Sequence, residues 1–191
     1  MTMIDLARNP RILNTVAEPS TFVLRHEHIT DVAAREALLD DAFGPSRFAK
    51  TCERLREGRS PARGLAFIAQ DHGVVVGTLR FWHVNAGGVE ALMLGPLALA
   101  ASHQSLGLGS AMMRHGLALA KGLGHRAIIL VGDAPYYTRF GFTRRLTEAL
   151  ELPGPVDEAR FLGCELQAGA LTHARGMVRA TGYSVQLARA A

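Results

Sequence analysis

Seven consecutive residues, Gln104-Ser105-Leu106-Gly107-Leu108-Gly109-Ser110, stand just before a helical pattern over 111–121, and their chemistry suits an anion cradle, the glycine pattern by itself being equally that of an ordinary helix-leading turn. Two glycines allow close backbone approach, while the free N–H groups and positive dipole end of the following helix point at whatever sits there. A second stretch with chemical capacity is Gly132-Asp133-Ala134-Pro135-Tyr136-Tyr137, followed by Thr138-Arg139-Phe140-Gly141-Phe142. Asp133 suits an N-cap, Pro135 the first turn and Gly141 the left-handed residue past the last turn, so 134–140 is predicted to form one short helix. Tyr136 and Tyr137 then stand about 100° apart around it, and only one faces a given cleft.

These groups need elements to hold them. The apolar run 91–99 leads into the cradle and is broken by Gly95-Pro96. Proline gives no N–H to a ladder, so this strand is predicted to bulge or splay from a neighbour and leave a gap. Residues 126–131 read as a short buried strand between the cradle helix and the tyrosine helix. A dinucleotide site would need an acidic residue about 20 positions beyond its glycines, where this chain has an apolar strand, and no Gly-Lys-Ser/Thr is present for a nucleotide-triphosphate loop.

Strand, glycine loop, helix, strand and tyrosine helix in this order resemble the coenzyme-binding core of the GNAT superfamily of N-acetyltransferases. Two motifs carry the likeness: Gln104-Ser-Leu-Gly107-Leu-Gly109, matching Gln/Arg-x-x-Gly-x-Gly/Ala, and Tyr137 four residues before Gly141-Phe142. With Leu94-Gly-Pro-Leu-Ala-Leu99 and the run from Gly132 to Tyr137, the chain is similar to the YhbS-like branch. The resemblance implies an α/β fold, a single GNAT-like domain with a mixed, mostly antiparallel sheet, a splayed central strand pair and flanking helices. It implies acetyl-CoA as co-substrate, its pyrophosphate on the backbone of Gln104, Ser105, Leu106, Gly107, Leu108, Gly109 and Ser110, and its pantetheine beside Leu97, Ala98 and Leu99. It further implies acetyl transfer to a primary amine, on a small molecule or a peptide, by direct attack on the thioester.

Tyr137 matches the family's acid. A phenol with a pKa near 10 stays protonated until a thiolate develops beside it. Tyr136 is its rival, and both phenols also read as core tyrosines packed on Phe140 or Phe142. Leu97, Ala98 and Leu99 equally read as buried strand residues. The general base stays open: the position that often holds a carboxylate in relatives is Met93 here, Glu90 and His83 are the nearest substitutes, each also readable as a hairpin-end surface residue, and a water chain or an already deprotonated substrate would serve equally. Ser105 stands where the family often has Gly, and Leu106 where it often has Arg. That leaves two alternatives, an acyltransferase with another donor such as an acyl carrier protein, or a non-catalytic module binding acyl-CoA or a partner.

Over the whole chain, 191 residues suggest one domain with a full core, and no stretch approaches the roughly 20 apolar residues of a membrane span. The net charge of +4 is scattered, which suits a polyanionic cofactor and argues against nucleic acid as a partner. Cys52 and Cys164 have no Cys-x-x-Cys spacing, so reduced thiols and a cytoplasmic location are expected. The eight histidines show no metal-ligand spacing, and no metal is expected. A homodimer is compatible with all of this.

Residues 1–20 read as a leader or packed arm, 21–168 as the acyltransferase domain, and 169–191 as a C-terminal strand and tail. Within the domain the patterning predicts a strand over 21–25, an amphipathic helix over 31–43 capped by Thr30 or Asp31, and a second helix over 46–57 with Phe48 and Leu55 inward. Strands over 65–70 and 73–84 form a hairpin through Asp71-His72-Gly73, and a second turn at 85–88 leads into the apolar run. Later strands are expected at 161–166 and 177–180.

Overall fold

The computed structural model describes residues 22–184; residues 1–20, read above as a leader or arm, lie outside them. β1 (Val23–His26) pairs antiparallel with β2 (Ala66–Asp71), which turns through His72-Gly73 into β3 (Val74–Ala86). Both turn residues have positive φ, 46° and 82°, the backbone twist that a two-residue hairpin favours. A second tight turn at Gly87-Gly88 brings in β4 (Val89–Leu99), again antiparallel to β3. β5 (Ala127–Val131) runs parallel to β4, and β7 (Phe161–Glu165) closes that edge antiparallel to β5. A two-residue β6 (Leu150–Glu151) pairs with β8 (Gly176–Ala180), and β8 pairs with the end of β3 from Val84 to Ala86, beyond the reach of β2. The sheet order is β1-β2-β3-β4-β5-β7, so this is the expected mixed, mostly antiparallel α/β sheet.

α2 (Leu108–Gly122) covers one face of the sheet, where Phe67, Leu79, Phe81, Met112, Met113 and Phe142 are fully buried. Each such side chain contributes roughly 1.5–3 kcal/mol of burial. On the other face Trp82, Met93, Ile129, Phe161 and Val178 form a second core, and α1 (Val32–Phe43) sets Leu38 and Leu39 against Ala98.

Three local expectations need correction. Asp31 does not cap α1 with its side chain; its carboxylate accepts from the His28 N–H at 2.7 Å and from Arg25 at 2.7 and 2.8 Å. α1 buries Arg35 along with Leu38 and Leu39, because a buried carboxylate, that of Glu27, waits for it. Residues 46–57 do not form an α-helix. They fold as two 3-10 turns, Pro45–Ala49 and Thr51–Leu55, with Lys50 extended between them. Phe48 is 59% exposed, so the segment lacks the inward apolar stripe that holds a short helix in place.

The break at Gly95-Pro96 shapes the centre of the sheet. The β3–β4 register shifts between Leu79 and Phe81, so that Gly95 and Pro96 together oppose Arg80. The indole Nε1 of Trp82 donates to the Gly95 carbonyl at 2.6 Å, satisfying a group taken out of the ladder. β4 pairs with β5 only through Leu92–Ile128 and Met93–Ile129; beyond Met93 the two strands part while β4 runs on to Leu99.

Candidate active site

Gly107 is the N-cap of α2, with φ 83°, in the left-handed region. A Cβ there would meet nothing within 4 Å, so the demand for glycine comes from backbone conformation and not from space. Ser105 shares the sign, with φ 63°. The loop is moored at its start: His103 Nε2 lies 3.0 Å from the Asp71 carboxylate, the Gln104 side-chain Nε2 donates to the Leu99 carbonyl at 3.5 Å, and the Gln104 backbone N–H donates to the Ala101 carbonyl at 3.3 Å. The N–H groups of Leu108, Gly109 and Ser110 then occupy the first turn of a 15-residue helix, with no helical carbonyl four residues back. Gln104, Ser105, Leu106 and Gly107 are exposed, whereas Leu108 is buried in the core and offers the loop only its backbone.

Leu97, Ala98 and Leu99 lie on β4 opposite Leu79, Thr78 and Gly77, past the last β5 partner. Leu97 and Leu99 lean on the α2-side core, and Ala98 on α1. Their strand edge toward β5 is open, and an extended amide chain can pair with such an edge.

α3 (Ala134–Tyr137) continues as a 3-10 turn to Phe140, and Gly141 follows with φ 86°. Asp133 holds the N-cap position, but its contribution is the backbone carbonyl, which accepts from the N–H groups of Tyr136 and Tyr137 at 3.0 and 3.1 Å. The two phenol rings meet edge to face at 5.0 Å. Tyr137 lies over Gly132, where a Cβ would stand 2.2 Å from its ring, and edge-on to Phe142 at 6.0 Å. Burial pushes its hydroxyl pKa up to about 12; Tyr136 and Asp133 act in the same sense and Arg160 against it. Tyr136 faces the loop. Its hydroxyl approaches Gly109, and its ring carries the Arg139 guanidinium 4.5 Å from the centroid. Burial raises its pKa as well, opposed by the Ser110 hydroxyl, Arg139 and Arg114.

His83 and Glu90 are not gathered with these tyrosines. The β3–β4 register sets His83 opposite Leu92 and Glu90 opposite Asn85, before the strands part. From Glu90 to Leu97 the strand runs about 23 Å at roughly 3.3 Å per residue. The two residues line a separate cavity with His125 and Arg126, in which the His83 and His125 rings lie 5.4 Å apart. Burial there lowers the His125 pKa; His83 adds to the effect and Glu90 opposes it. Alternation along β3 identifies the side on which His83 projects, but not where the splay begins.

A cavity of about 200 Å³ opens on the α1 face beside the bulge, lined by Trp82, Pro96, Phe43, Arg47, Lys50 and Arg56 among others. Of these residues only Pro96 stands out in the sequence, as the break in the apolar run; the helix expected over 46–57 gives Arg47, Lys50 and Arg56 no role. The usable signal was three basic residues at 47, 50 and 56 interleaved with Phe43 and Phe48.

Residues 32–142 match the family model described as acetyltransferase (GNAT) family. The uncharacterized N-acetyltransferase YhbS of Escherichia coli is 30% identical over 158 residues, 82% of this chain and 94% of its own. The crystal structure of that protein in complex with CoA superposes with a TM-score of 0.71 at 29% identity, over 84% of this chain and 89% of the other. A GNAT family acetyltransferase from Brucella melitensis, in complex with acetyl-CoA, gives 0.56 at 29% identity over 75% and 95%. No helix among the described residues is long and apolar enough to cross a membrane.

Proposed function

Because the chain belongs to the GNAT acetyltransferase family, we propose that it transfers an acetyl group from acetyl-CoA to a primary amine. The observation that carries this reading is the parting of β4 from β5 beyond Met93, next to the first turn of α2 and its left-handed Gly107 cap. Those features fit the coenzyme: an open strand edge for pantetheine amides at Leu97, Ala98 and Leu99, and the loop of residues 104–110 for a pyrophosphate, with the first-turn N–H groups of Leu108, Gly109 and Ser110 free of helical carbonyls while that of Gln104 is given to Ala101.

Bound acetyl-CoA supplies the thioester. The residues around it have three tasks. The backbone of the α2 cap holds the phosphates, the β4 edge aligns the pantetheine, and the Tyr137 hydroxyl keeps its proton until sulfur leaves. As the neutral amine nitrogen bonds to the acetyl carbon, the carbon–sulfur bond breaks, and Tyr137 gives its proton to the departing thiolate. A phenol whose pKa is raised to about 12 is fully protonated at neutral pH and so is present as the acid. The extra proton on the new amide nitrogen goes to water, and water returns one to the Tyr137 phenolate, restoring the acid.

The test is thiol release from acetyl-CoA over a panel of small amines, polyamines, amino acids, aminoglycosides and peptides, with CoA affinity measured alongside by calorimetry. Turnover with at least one acceptor supports the reading. Firm CoA binding without turnover of any would favour the non-catalytic module, and absence of both would remove the coenzyme assignment.

A further inference from the structure

The charges around the α1-face cavity do not cancel. Glu27, buried, bonds both Arg35 and Arg80; Glu36 is shared by Arg35 and Arg47; Asp40 accepts from Arg47 at 2.8 Å; Glu53 takes Nη2 of Arg56 at 2.8 Å. Lys50 has no carboxylate within 4.0 Å among the described residues, and its ammonium rests 4.6 Å above the Phe43 ring. Four carboxylates therefore face five cations, and one positive charge is left at the cavity wall.

Arg56 adds a second, independent observation. Its side chain is 11% exposed, yet its Nε is fully buried with no hydrogen-bond partner. That Nε has almost no accessible surface, so an incoming acceptor meets the guanidinium at its terminal nitrogens. There Nη2 is paired with Glu53, and a charge-assisted hydrogen bond to Nη1 would add to the binding of this under-satisfied group. The same side chain stands against the bulge, its Nη1 3.9 Å from where a Cβ on Gly95 would lie. The cationic wall is thus adjacent to the point where β4 leaves β5, while Trp82 and Phe43 supply apolar surface beside it.

We propose that this cavity takes the acceptor, and that the acceptor is a small amine bearing a carboxylate, which Arg56 and Lys50 bind, and an apolar group, which Trp82 and Phe43 cover. The proposal rests on the acetyltransferase reading above. A volume of about 200 Å³ is below that of sites for drug-sized ligands, roughly 300–1,000 Å³, and suits an amino acid or the end residue of a peptide. A monocarboxylate also matches the single uncompensated charge. Polyamines and aminoglycosides, which are polycations, would meet like charge here.

Matched pairs test it: L-phenylalanine against phenethylamine, and L-leucine against 3-methylbutylamine. Each is titrated into the full chain with saturating CoA and then compared as acceptor by kcat/KM. The carboxylated member of each pair should bind at least about tenfold tighter. In Lys50→Gln and Arg56→Met that preference should fall at least about fivefold; Lys50 is exposed, so its variant keeps the test informative if Arg56→Met fails to fold. Loss in either variant supports the proposal and identifies the cation responsible. Equal affinities within each pair, no binding of any at about 10 mM, or preference retained in both variants would overturn it. A wild-type chain that binds no CoA would instead sink the acetyltransferase reading, an outcome the pair preference measured without CoA keeps separate.

Discussion

The Tyr136 hydroxyl lies 2.8 Å from the position a Cβ on Gly109 would take, so the tyrosine helix and the start of α2 are fitted to each other through a missing side chain. The next neighbours are Leu99 Cδ1 at 3.3 Å and the Tyr136 Cζ at 3.8 Å. Gly109→Ala should therefore turn the phenol aside, and because only the end of a side chain must move, the cost should be about 1 kcal/mol. Tyr136→Phe removes the obstructing atom, so the two changes should couple by about 0.5–1 kcal/mol in a double-mutant cycle read by urea unfolding. Additive effects within about 0.3 kcal/mol would show that the contact does not govern this junction.

Gly107 obeys a different constraint and predicts a different ranking. Its φ of 83° with open space around it penalises side chains by conformation, not size. Asn tolerates the left-handed region, Ala pays roughly 1–2 kcal/mol, and a β-branched residue is an outlier there. CoA affinity by calorimetry should fall in the order Gly, Asn, Ala, Val at position 107. Equal losses for Asn and Val would point to crowding and against the conformational account.

Glu27 is the hub of the polar network that fixes α1 over the sheet, bonded to Arg35 and Arg80 with its side chain 6% exposed. Glu27→Gln keeps the shape but leaves Arg80 without its carboxylate partner and Arg35 with only Glu36, itself shared with Arg47. Removing one partner of a buried ion pair typically costs 3–5 kcal/mol, so unfolding free energy should drop by about 3 kcal/mol or more. A loss under about 1 kcal/mol in denaturant titration would mean that water already serves these groups.

What could be read from the chain and what could not divide along physical lines. The hairpin turns, α2, β5 and the left-handed Gly141 follow from local turn chemistry and periodicity, and each was legible within a window of a few residues. Glu27 and Arg80 are 53 positions apart, and nothing local to Arg35 says that its charge is buried. Residues 46–57 misled because Phe48 and Leu55 stand at helical spacing, and nothing local shows that only Leu55 is buried while the chain tightens into two 3-10 turns. The contact between Gly109 and Tyr136 was invisible because spacing assigns a phenol to a helix face, whereas the packing of α3 on α2 decides which face meets the loop. His83 and Glu90 were weighed as the nearest substitutes for Met93, and their place in a separate cavity, on the paired side of the splay, emerges only with the β3–β4 and β4–β5 registers.

Tyr137→Phe separates proton donation from packing, since the ring keeps its place over Gly132 and against Phe142 while the hydroxyl is lost. With Tyr137 as the acid, single-turnover acetyl transfer should slow by roughly 10²–10⁴-fold with little change in CoA affinity, and Tyr136→Phe should cost much less. Because the Tyr136 hydroxyl is the one that approaches Gly109, the reverse ranking is the outcome that would move the role to it. The pH dependence adds a second readout. The folded-state pKa of about 12 lies above the unfolded value near 10, so the folded state holds this proton more tightly. Its contribution to stability is complete below pH 10 and is lost as pH rises through 12, up to roughly 2–3 kcal/mol. Wild type should accordingly lose stability between about pH 10 and 12 more steeply than Tyr137→Phe does. Parallel curves for the two proteins would show that the Tyr137 hydroxyl is solvated in the folded state, and would remove the argument that burial keeps it protonated.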